Sequence, residues 1–242
     1  MKPKLIRRSW DLLSNSFPRF SCEIDYLRKN RNFERDLWLV PRFCSKQTIA
    51  VDVGANTGIY SRWMAKFARK VEAFECNPVL ISKLTKFLPE NVHLHQCGLS
   101  SSDGKTLLRF DPLNTGVGTI EALNKLDQNP GIRTVTELEV PMRKLDDFQL
   151  DRVTFVKIDV EGHELEVLKG AATLIERDRP ALLMEIEERH RPGNLEVVPR
   201  WLREFGYRPN VLDVSGQLVR VSSVESAARG GINNVWFLPT SG

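Results

Sequence analysis

Two apolar patterns alternate along most of the chain. Short runs that are apolar almost throughout, TIAVDV (48–53), KVEAFEC (70–76), VTFVKIDV (153–160) and PALLMEIE (180–187), read as strands buried on both faces. Between them apolar residues recur at helical spacing: Tyr60, Met64 and Phe67 in 57–68, a helix opened by Asn77-Pro78 and running through Phe87, Leu165, Leu168, Ala172 and Ile175 in 163–177, and 194–206 with Pro199 near its start. NVHLHQCGL (91–99) predicts a third strand, the turn Ser102-Asp103-Gly104 leads to an antiparallel excursion over 105–110, and 134–142, 207–213 and 233–239 complete the strands. Residues 111–133 hold Gly, Asn and Pro without a strong period and predict a long loop or lid with one short helix at most. Residues 1–47 predict an N-terminal helical cap or arm, with a stripe Leu5, Ile6, Leu12, Leu13, Phe17 ended by Pro18 and a second around Ile24, Leu27 and Leu37-Trp38. The domain proper is then 48–242.

Strands alternating with helices specify an α/β fold with a doubly wound, mostly parallel sheet. Ligands of such sheets bind beyond the carboxyl ends of the strands. That places interest on Asp52–Gly58, Glu75–Asn77, Gly98–Ser100, Asp159–His163 and Glu185–Glu188.

The first of these, VDVGANTG, is a strand–glycine turn–helix unit without the G-x-G-x-x-G of dinucleotide sites and without the lysine of nucleotide triphosphate loops. A carboxylate at Asp52 would repel a pyrophosphate and suits a cationic cofactor such as S-adenosylmethionine (SAM). Gly54, Asn56, Thr57 and Gly58 would hold its methionine end, with the cofactor carboxylate at the helix start. Glu75 follows Gly54 by 21 residues, the separation at which an acidic side chain accepts both ribose hydroxyls. Asn77 stands beside it, and Gly98 and Leu99 lie where adenine would pack. A nicotinamide-dependent oxidoreductase is the alternative that the missing third glycine disfavours.

Charge changes the picture little. The net +4 is uneven: residues 1–47 hold 11 basic and 5 acidic side chains, and the rest hold 24 and 26. A basic arm opens two alternatives, an RNA methyltransferase and a homodimer contact. The near-neutral body and the lack of an RNA-binding motif disfavour nucleic acid. No stretch approaches a membrane span or an unbroken signal-peptide core, so a cytoplasmic protein is expected. Cys22, Cys44, Cys76 and Cys97 form no C-x-x-C pair and are expected as reduced thiols.

The motifs VDVGANTG, FECNP, GLSSSDG, VKIDVEGHELEVLKGA and INNVWFLP, in that order, resemble the FkbM family of SAM-dependent methyltransferases, over roughly 48–110 and 134–238. The resemblance implies a seven-stranded Rossmann-like sheet with its last strand antiparallel, and O-methylation of a hydroxyl on a sugar, glycolipid or small natural product. It places Asp52, Gly54, Asn56 and Gly58 at the methionine end, Glu75 at the ribose, and Asp159 to Glu164 beside the transfer site. Cys76 departs from the family's usual proline.

Methyl transfer to oxygen needs alignment and a way to remove a proton. KIDVEGHELE supplies Lys157, Asp159, Glu161 and His163 as catalytic candidates. One mechanism uses Asp159 or His163 as base. A second holds a divalent cation, Mg²⁺ or Ca²⁺, between Asp159 and Glu185 with help from Glu161. A third relies on proximity alone. Glu164 is expected as a first-turn or solvent-side charge, His93 and His95 as structural, and Arg189, His190 and Arg191 either as solvated or as contacts for an anionic acceptor.

Overall fold

A computed structural model of the protein describes residues 35–126, 129 and 131–240. The arm stripe at 5–17, Ile24, Leu27 and Cys22 lie outside the described residues. Leu37 and Trp38 fall in a 3-10 helix, Arg35–Arg42.

The predicted strands are present as β1 (Ile49–Val53), β2 (Lys70–Phe74), β3 (Val92–His95), β8 (Val153–Ile158), β9 (Ala181–Glu185), β10 (Tyr207–Leu212) and β12 (Asn234–Pro239). They form one sheet in the order β3-β2-β1-β8-β9-β12-β10, extended by a short edge strand β11 (Leu218–Arg220). The described sheet therefore has eight strands where seven were expected. β12 runs antiparallel to both neighbours, as the resemblance implied, and β11 is antiparallel to β10.

Alternation along the strands divides the core between the two faces of the sheet. Val51 and Val53 of β1 join Val156 and Ile158 of β8 on one face. Ala50 and Phe155 point to the other, under α1 (Ile59–Ala65). Asp52 and Lys157, register partners across β1 and β8, share this second face. That placement decides where the Asp52 carboxylate goes.

Three expectations are corrected. The third strand ends at His95, and Gly98–Leu99 (β4) joins a separate four-stranded sheet, β4-β7-β5-β6, with β5 (Gly104–Asp111) and β7 (Thr136–Arg143). The expected loop at 111–133 contributes β6 (Asn114–Thr119) to this sheet, antiparallel to β5. NTGVGT has neither apolar alternation nor bulk, so only its partner strand reveals it. The helix predicted over 163–177 is two, α3 (Glu164–Lys169) and α4 (Ala172–Asp178). The break falls where Gly170 meets the small sheet: a Cβ there would lie 2.0 Å from the carbonyl oxygen of Ser100. The remaining helices are α2 (Pro78–Leu84), α5 (Asn194–Glu204), with Pro199 inside it rather than at its start, and α6 (Val224–Arg229), which the sequence reading did not anticipate.

The Gly170 contact is testable because two effects oppose each other. Helix propensity alone would make Gly170→Ala stabilising by up to about 1 kcal/mol. The clash with Ser100 should instead destabilise the fold by roughly 1–3 kcal/mol, read as a lower urea midpoint.

Candidate active site

The site is built at the carboxyl edge of β1, β2 and β8. The amides of Gly54 and Ala55 donate to the Phe74 carbonyl at 3.0 and 2.9 Å, which folds the β1–α1 turn against the end of β2. Gly54 has φ +77°, and a Cβ on it would sit 1.9 Å from the carbonyl oxygen of Asp159. Only glycine permits this approach of the turn to the end of β8.

Glu75 is buried at the end of β2. Its Oε2 accepts from the Asn56 amide and its Oε1 from the Asn77 amide, both at 2.8 Å. Asn77 caps α2 through Oδ1, which accepts from the Val79 amide at 3.0 Å. Its Nδ2 is buried with no partner among the described residues. These groups open on a cleft of about 650 Å³, counting its mouth. Leu80, Cys97, Leu99, Leu108 and Ile120 give it an apolar end, and Asp159 and Glu161 an acidic one. The roof is β6: Gly116, Gly118 and Thr119 line the cleft, and Asn56 Nδ2 donates to the Gly116 carbonyl at 2.9 Å.

Of the residues singled out from sequence, Gly54, Asn56, Glu75, Asn77, Gly98, Leu99, Asp159 and Glu161 line this cleft. Asp52 does not. It is 1% exposed and accepts from Ser61 Oγ at 2.5 Å beneath α1, because the strand alternation turns it away from the lip. Thr57 is exposed on the turn, and Gly58 packs against Leu84 and Leu88. Lys157 lies behind the wall, 2.9 Å from Asp159 Oδ2 and 4.7 Å above the Tyr60 ring.

His163, expected as a base, is a strut. Its Nε2 lies 2.9 Å from Ser100 Oγ and its Nδ1 3.2 Å from Glu121 Oε2, so both ring nitrogens are engaged away from the cleft. Glu164, expected as a first-turn or solvent-side charge, stands in the first turn of α3 but is only 1% exposed. It accepts from the Gly162 amide at 2.8 Å and from Asn194 Nδ2 at 2.7 Å. His95 has the structural role expected of it, 2.6 Å from Glu72 and stacked on Phe74.

The metal reading finds no support. Among the described residues no three His, Cys, Asp or Glu side chains gather closely enough to hold an ion. The Lys157 ammonium already sits on Asp159. Burial, the Asp159 charge and a hydrogen bond to Glu187 push Glu185 up to about 9.

Sequence reasoning missed Glu121, Thr119 and Asn124, and it named His190 without foreseeing its burial against Glu161. Glu121 follows β6 and ties the roof to His163 and, at 3.2 Å, to Arg191. His190, 3% exposed, lies 2.7 Å from Glu161 Oε2. Thr119 Oγ1 and Asn124 Nδ2 both donate to the Glu161 carbonyl, at 3.0 and 2.7 Å. No local sequence signal announces these contacts, which join residues tens of positions apart.

The cleft fits SAM on its own features. The Glu75 carboxylate is held by the backbone amides of Asn56, Asn77 and Cys76 and keeps acceptor capacity for a ribose hydroxyl. Asn77 Nδ2 is a buried donor with capacity to spare. The Gly54 cradle has no room for a side chain. Burial raises the Glu75 pKa against the pull of the Asn77 and Asn56 amides.

The sequence matches the family described as Methyltransferase FkbM domain over residues 52–209. It is 29% identical over 174 residues to Methyltransferase 1 of Beauveria bassiana, covering 63% of this chain and 69% of that one. It is likewise 29% identical over 157 residues to the hexuronic acid methyltransferase AglP of Haloferax volcanii, covering 64% and 62%. The fold is similar to the crystal structure of methyltransferase FkbM from Methylobacillus flagellatus KT, with TM-score 0.52 and 18% identity, over 80% of this chain and 44% of that one. The chain thus spans about two thirds or less of the length of the proteins it resembles.

Two outcomes follow from the site. Glu75→Gln removes a charge from the ribose position and should weaken SAM binding by about 10- to 100-fold, measured by calorimetry. Glu164, raised by burial to about 7, is protonated in the folded chain at pH values where the unfolded chain has lost the proton. Its contribution to stability is full below the ordinary carboxylate pKa and is lost as pH rises through about 7. The melting temperature of Glu164→Gln should therefore vary less between pH 4.5 and pH 8 than that of the parent, compared by calorimetric scans.

Proposed function

We propose a reaction from one premise, that the chain belongs to the methyltransferase FkbM family: it transfers a methyl group from SAM to a hydroxyl of a sugar, glycolipid or small natural product. The observation that carries this reading is the cleft itself, where Glu75 and Asn77 furnish a carboxylate and a buried amide donor, and Asp159 and Glu161 two further carboxyl groups. When bound, SAM supplies a methyl on a positively charged sulfur that keeps the bonding electron pair as the demethylated cofactor departs. The acceptor oxygen gains the carbon–oxygen bond and gives up its proton.

The chain's own residues then have three tasks. Glu75, Asn77, Gly54 and the apolar wall around Leu99 and Leu108 hold and orient the cofactor. The β6 roof, latched by Asn56, covers the cleft and limits water. Asp159 and Glu161 are the acidic side chains on the wall that can take the hydroxyl proton. Lys157 holds Asp159 at 2.9 Å and His190 holds Glu161 at 2.7 Å; we favour Glu161 as the base because it lines both this cleft and the neighbouring one. The name of the Haloferax relative supports a sugar acceptor. No helix among the described residues is long and apolar enough to cross a membrane.

S-adenosylhomocysteine release, followed over a panel of saccharides, glycolipids, polyketides and RNA, tests the reading. Release with a hydroxylated sugar or natural product is expected, and release with RNA alone would overturn it. Glu161→Gln should lower kcat by roughly 10²–10⁴-fold while leaving SAM affinity unchanged. An unaltered kcat would remove Glu161 from the proton path.

A further inference from the structure

Beside the cofactor cleft lies a second one, about 800 Å³ counting its mouth. Its wall includes Asn124, Lys125 and Leu126 from the segment after β6, and Arg189 and His190 from the segment after β9. Glu161 belongs to both clefts. This side chain therefore stands where the two spaces meet, and a molecule in the second cleft would present its atoms to the acidic end of the first.

The charges on this wall are unequally satisfied. Arg189 is held by Glu187 through both Nε and NH2. His190 faces Glu161 at 2.7 Å. Arg191, just beyond, is taken by Glu121. The cations that the sequence suggested for an anionic acceptor are thus each committed to a carboxylate. Lys125 is exposed and has no carboxylate partner among the described residues. A flexible ammonium at the wall of a cleft attracts an anion, and pairing with a ligand carboxylate or phosphate would satisfy it. Val117, partly exposed on the same wall, offers the apolar surface on which the face of a sugar ring can rest.

We infer that this second cleft holds the acceptor, and that the acceptor is a sugar or related polyol bearing a carboxylate or phosphate that pairs with Lys125. The inference rests on the methyl-transfer reading above and adds the acceptor's position and charge to it. The ring lies between Val117 and the segment after β9, with one hydroxyl at Glu161 and the anionic group toward Lys125. Acceptor choice is then set by the segment that follows the roof strand, which is separate from the Gly54 turn, Glu75 and Asn77 that hold the cofactor.

The test compares three acceptors, methyl glucuronide, glucose 1-phosphate and uncharged methyl glucoside, by S-adenosylhomocysteine release, alongside calorimetry with SAM. A lower KM for one or both charged sugars is expected, and the arm that responds tells carboxylate from phosphate. Lys125→Gln should raise that KM by about tenfold with kcat retained, Lys125→Arg should restore it, and SAM affinity should be the same in all three chains. Equal use of charged and uncharged sugars, a KM indifferent to Lys125→Gln, or no binding of any charged sugar by a chain that binds SAM would overturn the inference. Failure to bind SAM at all would instead overturn the methyl-transfer reading.

Discussion

The whole site depends on one steric constraint, the approach of the Gly54 turn to the carbonyl of Asp159. Any larger residue at position 54 would place its Cβ 1.9 Å from that oxygen. With the two backbones so close, the end of β1 is shared by two half-sites. On one side the turn donates an amide to Glu75. On the other, β8 delivers Asp159 and then Glu161. A cleft that must hold a dipolar cofactor and an acceptor needs both halves within one ligand's length. The glycine achieves this with backbone geometry, which is stiffer than any side-chain contact could be.

Around this contact the electrostatics are arranged in layers. At the surface of the cleft stand carboxylates with specific partners: Glu75 with amides, Asp159 with Lys157, Glu161 with His190. Behind them lie carboxyls that burial drives toward the neutral form, Asp52, Glu164 and Glu185. The shift toward the neutral form eases the repulsion that this many acidic side chains create at one edge of a sheet. The inner shell supports position, and the outer shell meets the ligands.

Much of the main sheet was legible in the sequence because parallel strands buried on both faces are apolar almost continuously, as in TIAVDV and VTFVKIDV. The place of Glu75 in the cleft was legible for a related reason, since a strand–turn–helix unit fixes its distance from Gly54. What was not legible depends on contacts between distant segments. NTGVGT is a strand only because β5 pairs with it. His163 reads as a base until Ser100 and Glu121, far away in the chain, claim both its nitrogens. Asp52 is instructive in another way: the period of two that puts Val51 and Val53 on one face already turns its carboxylate to the other, beneath α1. Local reading recovered the frame and part of the wall, but not the partners that decide which side chains remain available.

The small sheet is encoded by one continuous stretch between β3 and β8, and it meets the rest of the site through a few hydrogen bonds, from Asn56 to Gly116 and from Thr119 and Asn124 to the Glu161 carbonyl. The large sheet, by contrast, carries Glu75 and the glycine turn. Such a division makes the molecule partly modular under selection. A lineage can vary the roof strand and the segment after it while Glu75, Asn77 and the Gly54 turn, which lie outside that stretch, stay in place.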